Sequence, residues 1–304
     1  MLQVSNRFGI LSEAIQIIPC HARAASHFVL NHQGKIKYII DLSSGTSHLQ
    51  NTIAAYNRKL AYLIKMLPCI PWKILRAVGL GYFANIKLHP HIQLFIPHNN
   101  LWNLLVGTYD EAQKLVFQCF LDSKSPCTFI KVGNAGSDIQ MQREIDFLKH
   151  AVEYTTFRTP VLLNSSLLRE GAPFNVLVTK EFTGKKVLPI LTETVYRVAK
   201  EIAGPTLLVN GKPHTFSHGD FAPWNIRKQN DSYIVFDWEH CGVRPEGYDI
   251  AYFIIMTEIA LRGSNFEKAF NSAKKRLQQL EPNLNLNRNL IFQEFIKTTK
   301  TLNF

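Results

Sequence analysis

Ser217-His218-Gly219-Asp220-Phe221-Ala222-Pro223-Trp224-Asn225, followed by the run Tyr233-Ile234-Val235-Phe236 and then Asp237-Trp238-Glu239, is the stretch that decides the fold. Ile226 follows Asn225 at once, and Lys228-Gln229-Asn230-Asp231-Ser232 is a polar cluster of turn-forming residues. Tyr233 to Phe236 is β-branched and aromatic. The pattern predicts a hairpin, strand to turn to strand. The two-residue period of a strand then sets Tyr233, Val235 and Asp237 on one face. Asn225 enters one strand and Asp237 leaves the other, so the hairpin brings them together and both can reach one metal ion. The plain alternative is a surface turn with a strand-end cap. Order and spacing together favour the first reading.

Two carboxylates and an amide are what phosphoryl transfer from ATP requires. One carboxylate orients the acceptor hydroxyl and takes its proton, while an amide oxygen and a second carboxylate hold magnesium against the triphosphate. Asp220 and Asn225 are spaced as in the kinase loop H-R-D-x-x-x-x-N. The stretch resembles the aminoglycoside phosphotransferase and choline kinase family, distant relatives of the protein kinases, which carries His-Gly-Asp-x-x-x-x-Asn and a later Asp-Trp-Glu or similar triplet. The resemblance implies that Asp220 is the catalytic base, that Asn225 and Asp237 are magnesium ligands, and that His218 braces the loop. It also implies an α+β, two-lobed protein-kinase-like fold, with a small antiparallel-sheet lobe and a larger, mainly helical lobe. Downstream, Pro245-Glu246-Gly247-Tyr248-Asp249-Ile250-Ala251 resembles the family's Pro-x-x-x-Asp-Leu-Ala segment. Helical spacing of Ile250, Phe253, Ile254 and Thr257 makes Asp249 an N-cap, and the resemblance makes it a brace of the catalytic loop. Glu239 lies near the metal site or faces solvent.

A kinase-like enzyme needs an upstream strand lysine for the nucleotide phosphates and a helix glutamate to hold it. Cys127 to Val132 reads as a strand with Lys131 near its end. Asn134-Ala135-Gly136 is a turn, Ser137 an N-cap, and a helix runs from about Asp138 to Val152. Met141, Ile145, Leu148 and Val152 form its inner face, and Glu144 points the same way. A carboxylate on that face needs a partner, and Lys131 is the natural one. Strands over Leu101–Val106 and Leu115–Leu121 flank a turn, residues 107–112, at the place where protein kinases carry a glycine-rich loop; only Gly107 is present here. Phe174 to Thr179 is a further strand. By its order in the family, Lys180, Glu181 and Phe182 link the lobes and hydrogen-bond adenine through the backbone.

Hydrophobic content of 46% and charged content of 19% describe an ordinary globular chain. The five cysteines are scattered with no Cys-x-x-Cys, which excludes a zinc or disulfide framework and points to a reducing, cytoplasmic setting. Met1 to Ile10 has no signal-peptide layout. The net charge of +11 is uneven, since residues 1–100 hold ten Lys/Arg against two Asp/Glu. No G-x-x-x-x-G-K-[ST] is present, which excludes a P-loop nucleotide binder. No helix-turn-helix, zinc or RNA-binding signature is present either, so no nucleic-acid partner is expected. Gly79 to Ala84 fits a loose dinucleotide fingerprint without the flanking strand and helix it needs. His89, His91 and His98 flank the apolar run Ile92–Ile96, read as structure near a strand rather than as a metal site.

The expected organisation is a basic α/β N-terminal extension over 1–100, a small lobe over 101–182 and a large lobe with the catalytic loop over 183–304. In the extension, His27–Leu30 and Ile36–Ile40 form a hairpin, and helices run over Thr52–Met66 and Trp72–Val78. ATP and Mg2+ are the expected cofactors, near Lys131, Asn225 and Asp237. The expected partner is a small-molecule hydroxyl acceptor such as a sugar, an amino alcohol or an aminoglycoside-like compound. The alternative is a non-catalytic kinase-like scaffold that contacts a membrane surface through residues 53–84.

Overall fold

The computed structural model describes residues 10–32, 34–42, 81–97, 101–121, 126–182, 184–284 and 286–299. The chain divides into two compact units. The first comprises residues 1–141 and 162–181, the second residues 142–161 and 182–304. The class is α+β, as expected.

The first unit is built on one antiparallel sheet. Its strands are β1 (Ile15–Pro19), β2 (His27–His32), β3 (Lys35–Asp41), β4 (Gly81–Leu88), β5 (Trp102–Val106), β6 (Lys114–Phe120) and β7 (Pro126–Gly133). After β8 (Phe157–Arg158), which belongs to the second unit, β9 (Leu162–Ser166) and β10 (Asn175–Lys180) complete it. The nine strands lie in the order β1-β4-β2-β3-β5-β6-β7-β10-β9. Short helices α1 (Ile10–Ala14) and α2 (Pro90–Gln93) accompany it. Alternation along the strands gives the sheet two apolar faces. Val29, Ile39, Leu104, Val106, Phe117 and Ile130 fall in one core cluster. Their strand neighbours Phe28, Leu30, Tyr38, Ile40 and Leu105 fall in another.

This sheet corrects the expected boundary at residue 100. Strands on both sides of it pair directly, Tyr38 with Leu105 and Ile39 with Leu104. The N-terminal segment is therefore part of the first unit's sheet and not a separate extension. The predicted hairpin is present as β2–β3. The predicted helices, and residues 53–80 of the segment read as a membrane contact, lie outside the described residues. Gly81 to Ala84, at the end of that segment, belong to β4. The Ile92–Ile96 run begins in α2 and not in a strand. Pro90 pre-sets the helical φ at its start, and the His89 ring accepts from the His91 N–H at 3.2 Å. No helix among the described residues is long and apolar enough to cross a membrane, and the four described cysteines are free.

Helix α3 (Asp138–Lys149) leaves the first unit at Met141 and enters the second at Gln142. Asn134 and not Ser137 starts it. The Asn134 side chain accepts from the Gly136 N–H at 3.1 Å, and Ser137 is buried in an intervening 3-10 turn. The helix stops at Lys149, short of Val152, where the His150 ring donates to the Asp146 carbonyl at 2.8 Å.

The second unit holds two small sheets and four helices among its described elements. Strands β8, β11 (Lys185–Lys186), β14 (Ile226–Gln229) and β15 (Ser232–Val235) form one sheet. Strands β12 (Leu207–Val209), β13 (Lys212–Ser217) and β16 (Gly242–Pro245) form the other. Helix α4 (Glu193–Ala203) buries Val195, Val198, Ala199 and Ile202, the face that its spacing dictates. Helix α5 (Tyr248–Arg262) is apolar nearly all round and correspondingly buried from Tyr248 to Phe253. Helices α6 (Phe266–Leu280) and α7 (Arg288–Thr298) are capped by the side chains of Asn265 and Asn287.

Candidate active site

The loop after β13 is held in shape by its own side chains and by one carboxylate from α5. Asp249 is buried and sits in the second position of α5, so it does not cap that helix; the cap position is Gly247. Its carboxylate instead accepts from the Ser217 hydroxyl at 2.6 Å, the His218 N–H at 2.7 Å and the Gly219 N–H at 3.0 Å. Three buried donors of the loop thereby share one acceptor group, and the Gly219 N–H also reaches the Ser217 hydroxyl at 3.1 Å.

His218 is fixed in one neutral form by its bonds. The Asp220 N–H donates to Nδ1 at 3.2 Å, so Nδ1 carries no proton. Nε2 lies 3.0 Å from the Phe236 carbonyl, which can only accept, so Nε2 carries it. Burial agrees, since it pushes the imidazole below its ordinary value, against the pull of Asp249. This histidine links the loop to the end of β15 and has no lone pair left for proton transfer.

Asp220 is the carboxylate that the loop presents. The Asn225 amide donates to its carboxylate at 2.8 Å and to its backbone carbonyl at 2.9 Å. The Tyr252 hydroxyl donates to the same carboxylate. Burial, then the neighbouring Asp237 carboxylate, push the Asp220 acid up to about 7, against the opposing pull of these hydrogen bonds. Tyr252 carries no site signal in the sequence. It is three residues beyond Asp249 and therefore on the same helix face, but it reads there as one more core aromatic.

The hairpin brings Asn225 and Asp237 together as expected. Ile226 pairs with Val235, and the Phe236 N–H donates to the Asn225 carbonyl at 3.1 Å. Asp237 does not continue the strand face of Tyr233 and Val235. The strand ends at Val235, and Asp237 adopts a left-handed backbone, φ 72°. Such a conformation is costly for a non-glycine residue and re-aims the carboxylate. It places an oxygen of Asp237 within 4.8 Å of oxygens of Glu144 and Glu239. Glu144, buried on α3, is the third carboxylate of this group within the second unit. Three carboxylates at this spacing repel one another unless a cation lies among them. Asn225, with its amide N–H groups turned to Asp220, has its oxygen directed elsewhere. Carboxylate and amide oxygens are hard donors, the set that suits Mg2+.

Gly219 and Arg244 complete the loop's surroundings. Gly219 has φ +87°, and a Cβ there would collide with the His240 carbonyl and the Arg244 guanidinium. Arg244 is buried, lies over the Tyr248 ring at 5.3 Å and is 3.8 Å from the Glu294 carboxylate. Neither arginine nor glutamate carried a sequence signal.

The remaining expected residues lie in or at the edge of the first unit. Lys131 is half-buried on β7, opposite Val116 of β6 and Leu177 of β10. Lys180 is the exposed last residue of β10. The Glu181 N–H donates to the Cys127 carbonyl at 2.9 Å, so this donor is already occupied and is not the one that adenine would meet. Burial raises the Glu181 carboxyl. Phe182, where the second unit resumes, has its ring 4.9 Å from Phe236.

Three solved structures show a distant likeness to this chain. An aminoglycoside phosphotransferase in complex with ADP and hygromycin B is 12% identical, with a TM-score of 0.39; the match covers 64% of this chain and 81% of that one. A microcompartment-associated aminopropanol kinase is 10% identical, with a TM-score of 0.38, covering 69% and 88%. A choline/ethanolamine kinase family protein from Mesorhizobium loti is 11% identical, with a TM-score of 0.30, covering 66% and 88%. No curated protein sequence matches. Residues 200–280, which contain Asp220, Asn225, Asp237 and Asp249, match the model of the phosphotransferase enzyme family APH.

Proposed function

We propose that this chain is an ATP- and Mg2+-dependent small-molecule kinase that moves the γ-phosphoryl group to a hydroxyl. The observation that carries the reading is the Asp220 carboxylate, fixed by Asn225 and Tyr252 beside the oxygen-rich group at Asp237. Asp220 is the base that orients the acceptor hydroxyl and receives its proton, and an acid near neutrality is matched to that task. Asn225 and Asp237 hold the metal, with Glu144 and Glu239 beside Asp237. Bound Mg2+ supplies neutralisation of the triphosphate charge. Lys131 meets the nucleotide phosphates, and the backbone near Lys180 and Phe182 meets the base. His218 and Asp249 keep the loop's shape. Little covalent chemistry is left to the protein, so catalysis is positioning and electrostatic stabilisation.

The acceptor is a sugar, an amino alcohol or an aminoglycoside-like compound. A sequence pI of 9.4 weighs against a polycation. The test is a screen of hydroxylated metabolites for ATP-dependent phosphorylation by the purified protein. Transfer to one class of acceptor supports the reading; nucleotide binding without transfer to any of them favours the scaffold alternative.

A further inference from the structure

Residues 107–113 join β5 to β6, and the Gly107 N–H closes this turn onto the Lys114 carbonyl at 2.8 Å. In the β6–β7 register Lys114 faces Gly133 and Val116 faces Lys131. The turn therefore begins two residues along the strand from Lys131, roughly 7 Å at the strand rise. Lys131 and the turn share one end of the sheet.

The turn is held from two sides. On one side is β3, whose ladder to β5 has only two register pairs. Side chains lace the rest. The Tyr109 hydroxyl donates to the Ile36 carbonyl at 2.7 Å, and the Lys37 amine donates to the Val106 carbonyl at 2.9 Å. The Lys35 amine lies 5.2 Å from the Tyr109 ring centre, and the Asp41 N–H donates to Asn103 at 3.0 Å. Burial keeps the Tyr109 phenol protonated, pushed up to about 12, so it remains a donor at neutral pH. On the other side is Gly136, where a Cβ would collide with the Glu111 carbonyl. The backbone of the turn thus rests directly on the segment that starts α3.

We propose that Tyr109 is a positioning residue for the nucleotide phosphates: by fixing the 107–113 turn to β3 it makes the turn a rigid cover for a phosphate held at Lys131. The N-terminal strands are then a component of the nucleotide site. This inference rests on the phosphotransferase reading.

The test is calorimetric titration of the full chain with AMP-PNP and Mg2+, together with thermal melting. Wild type is compared with Tyr109→Phe, Gly136→Ala and Tyr196→Phe. The last is a control that loses a tyrosine hydroxyl bond of the same kind, to Glu281 at 2.6 Å in the second unit. Tyr109→Phe should bind AMP-PNP roughly fivefold more weakly, the factor that matches one neutral hydrogen bond. Gly136→Ala should weaken it too, and Tyr196→Phe should bind as wild type does. Equal affinity of Tyr109→Phe and wild type overturns this inference alone. Affinity lost to the same degree in Tyr196→Phe also overturns it, because the effect is then one of general stability. Absence of AMP-PNP binding by wild type overturns the phosphotransferase reading, and this inference with it.

Discussion

Asn225 reaches back five residues to donate one amide to both the carboxylate and the backbone carbonyl of Asp220, at 2.8 and 2.9 Å. The spacing that first marked the loop is therefore a bonded distance. It orients the amide, and with it the Asn225 side-chain oxygen. Asn225→Asp keeps an oxygen donor but loses both bonds and sets a second carboxylate against Asp220. Its activity should fall by at least about a hundredfold, since a displaced reacting group commonly costs that much. Activity of Asn225→Asp within a few-fold of wild type would contradict this account of the amide.

Asp220 gives a prediction with a definite sign. Its acid lies at about 7 in the folded protein against an ordinary value of 3.8. A raised carboxyl contributes stability below the unfolded value and loses it as pH rises through the folded one. Asp220→Asn should therefore be more stable than wild type at pH 8, by up to about 4 kcal/mol. The difference should close toward pH 4. Melting curves of both proteins from pH 4 to 8 check this, and a pH-independent difference refutes it.

Asp249 braces three donors at once. Asp249→Ala removes this buried acceptor from the Ser217 hydroxyl and the His218 N–H and should cost about 3–5 kcal/mol. Denaturant unfolding measures the loss, and activity should fall with it. A cost below about 1 kcal/mol would mean that the loop holds its shape without this carboxylate.

Gly219 is needed both for its conformation and for its lack of a side chain. Gly219→Ala faces a positive φ and a collision with the His240 carbonyl. It should lower stability by about 2 kcal/mol or more and abolish transfer. A crystal structure of an active Gly219→Ala protein with an unshifted loop would contradict the packing argument.

The N-terminal strands should not be dispensable. Deleting residues 1–97 removes β1 to β4 and bares Leu104, Leu105 and Val106 on β5. The fragment should be insoluble or lack a cooperative melt. A soluble fragment that melts cooperatively would restore the view of this segment as an appendage.

The site was more legible than the fold around it, for physical reasons. Asp220, Asn225 and Asp237 sit close in sequence on one loop and one hairpin, where local turn chemistry fixes the geometry. Asp249 was visible as a helix-start acid, but its partners lie thirty residues away and redirected it from cap to brace. Glu144 was legible from helix periodicity and from the lysine–glutamate pair that a kinase-like enzyme needs. Its neighbours Asp237 and Glu239 depend on the left-handed turn at Asp237, which no pattern announced. Tyr252 and Arg244 were hidden because a buried tyrosine hydroxyl and a strand arginine carry no periodic signal. The boundary near residue 100 failed because composition changes there while β3 and β5 still pair across it, and strand pairing between distant segments has no local mark.

The central claim is that Asp220 is the base of an ATP-dependent transfer. Its most direct test measures phosphate transfer to the acceptor found in the metabolite screen, alongside AMP-PNP and Mg2+ binding, for wild type and Asp220→Asn. The account predicts that Asp220→Asn binds nucleotide as wild type does and transfers no phosphate above background. Unchanged turnover in Asp220→Asn would contradict it.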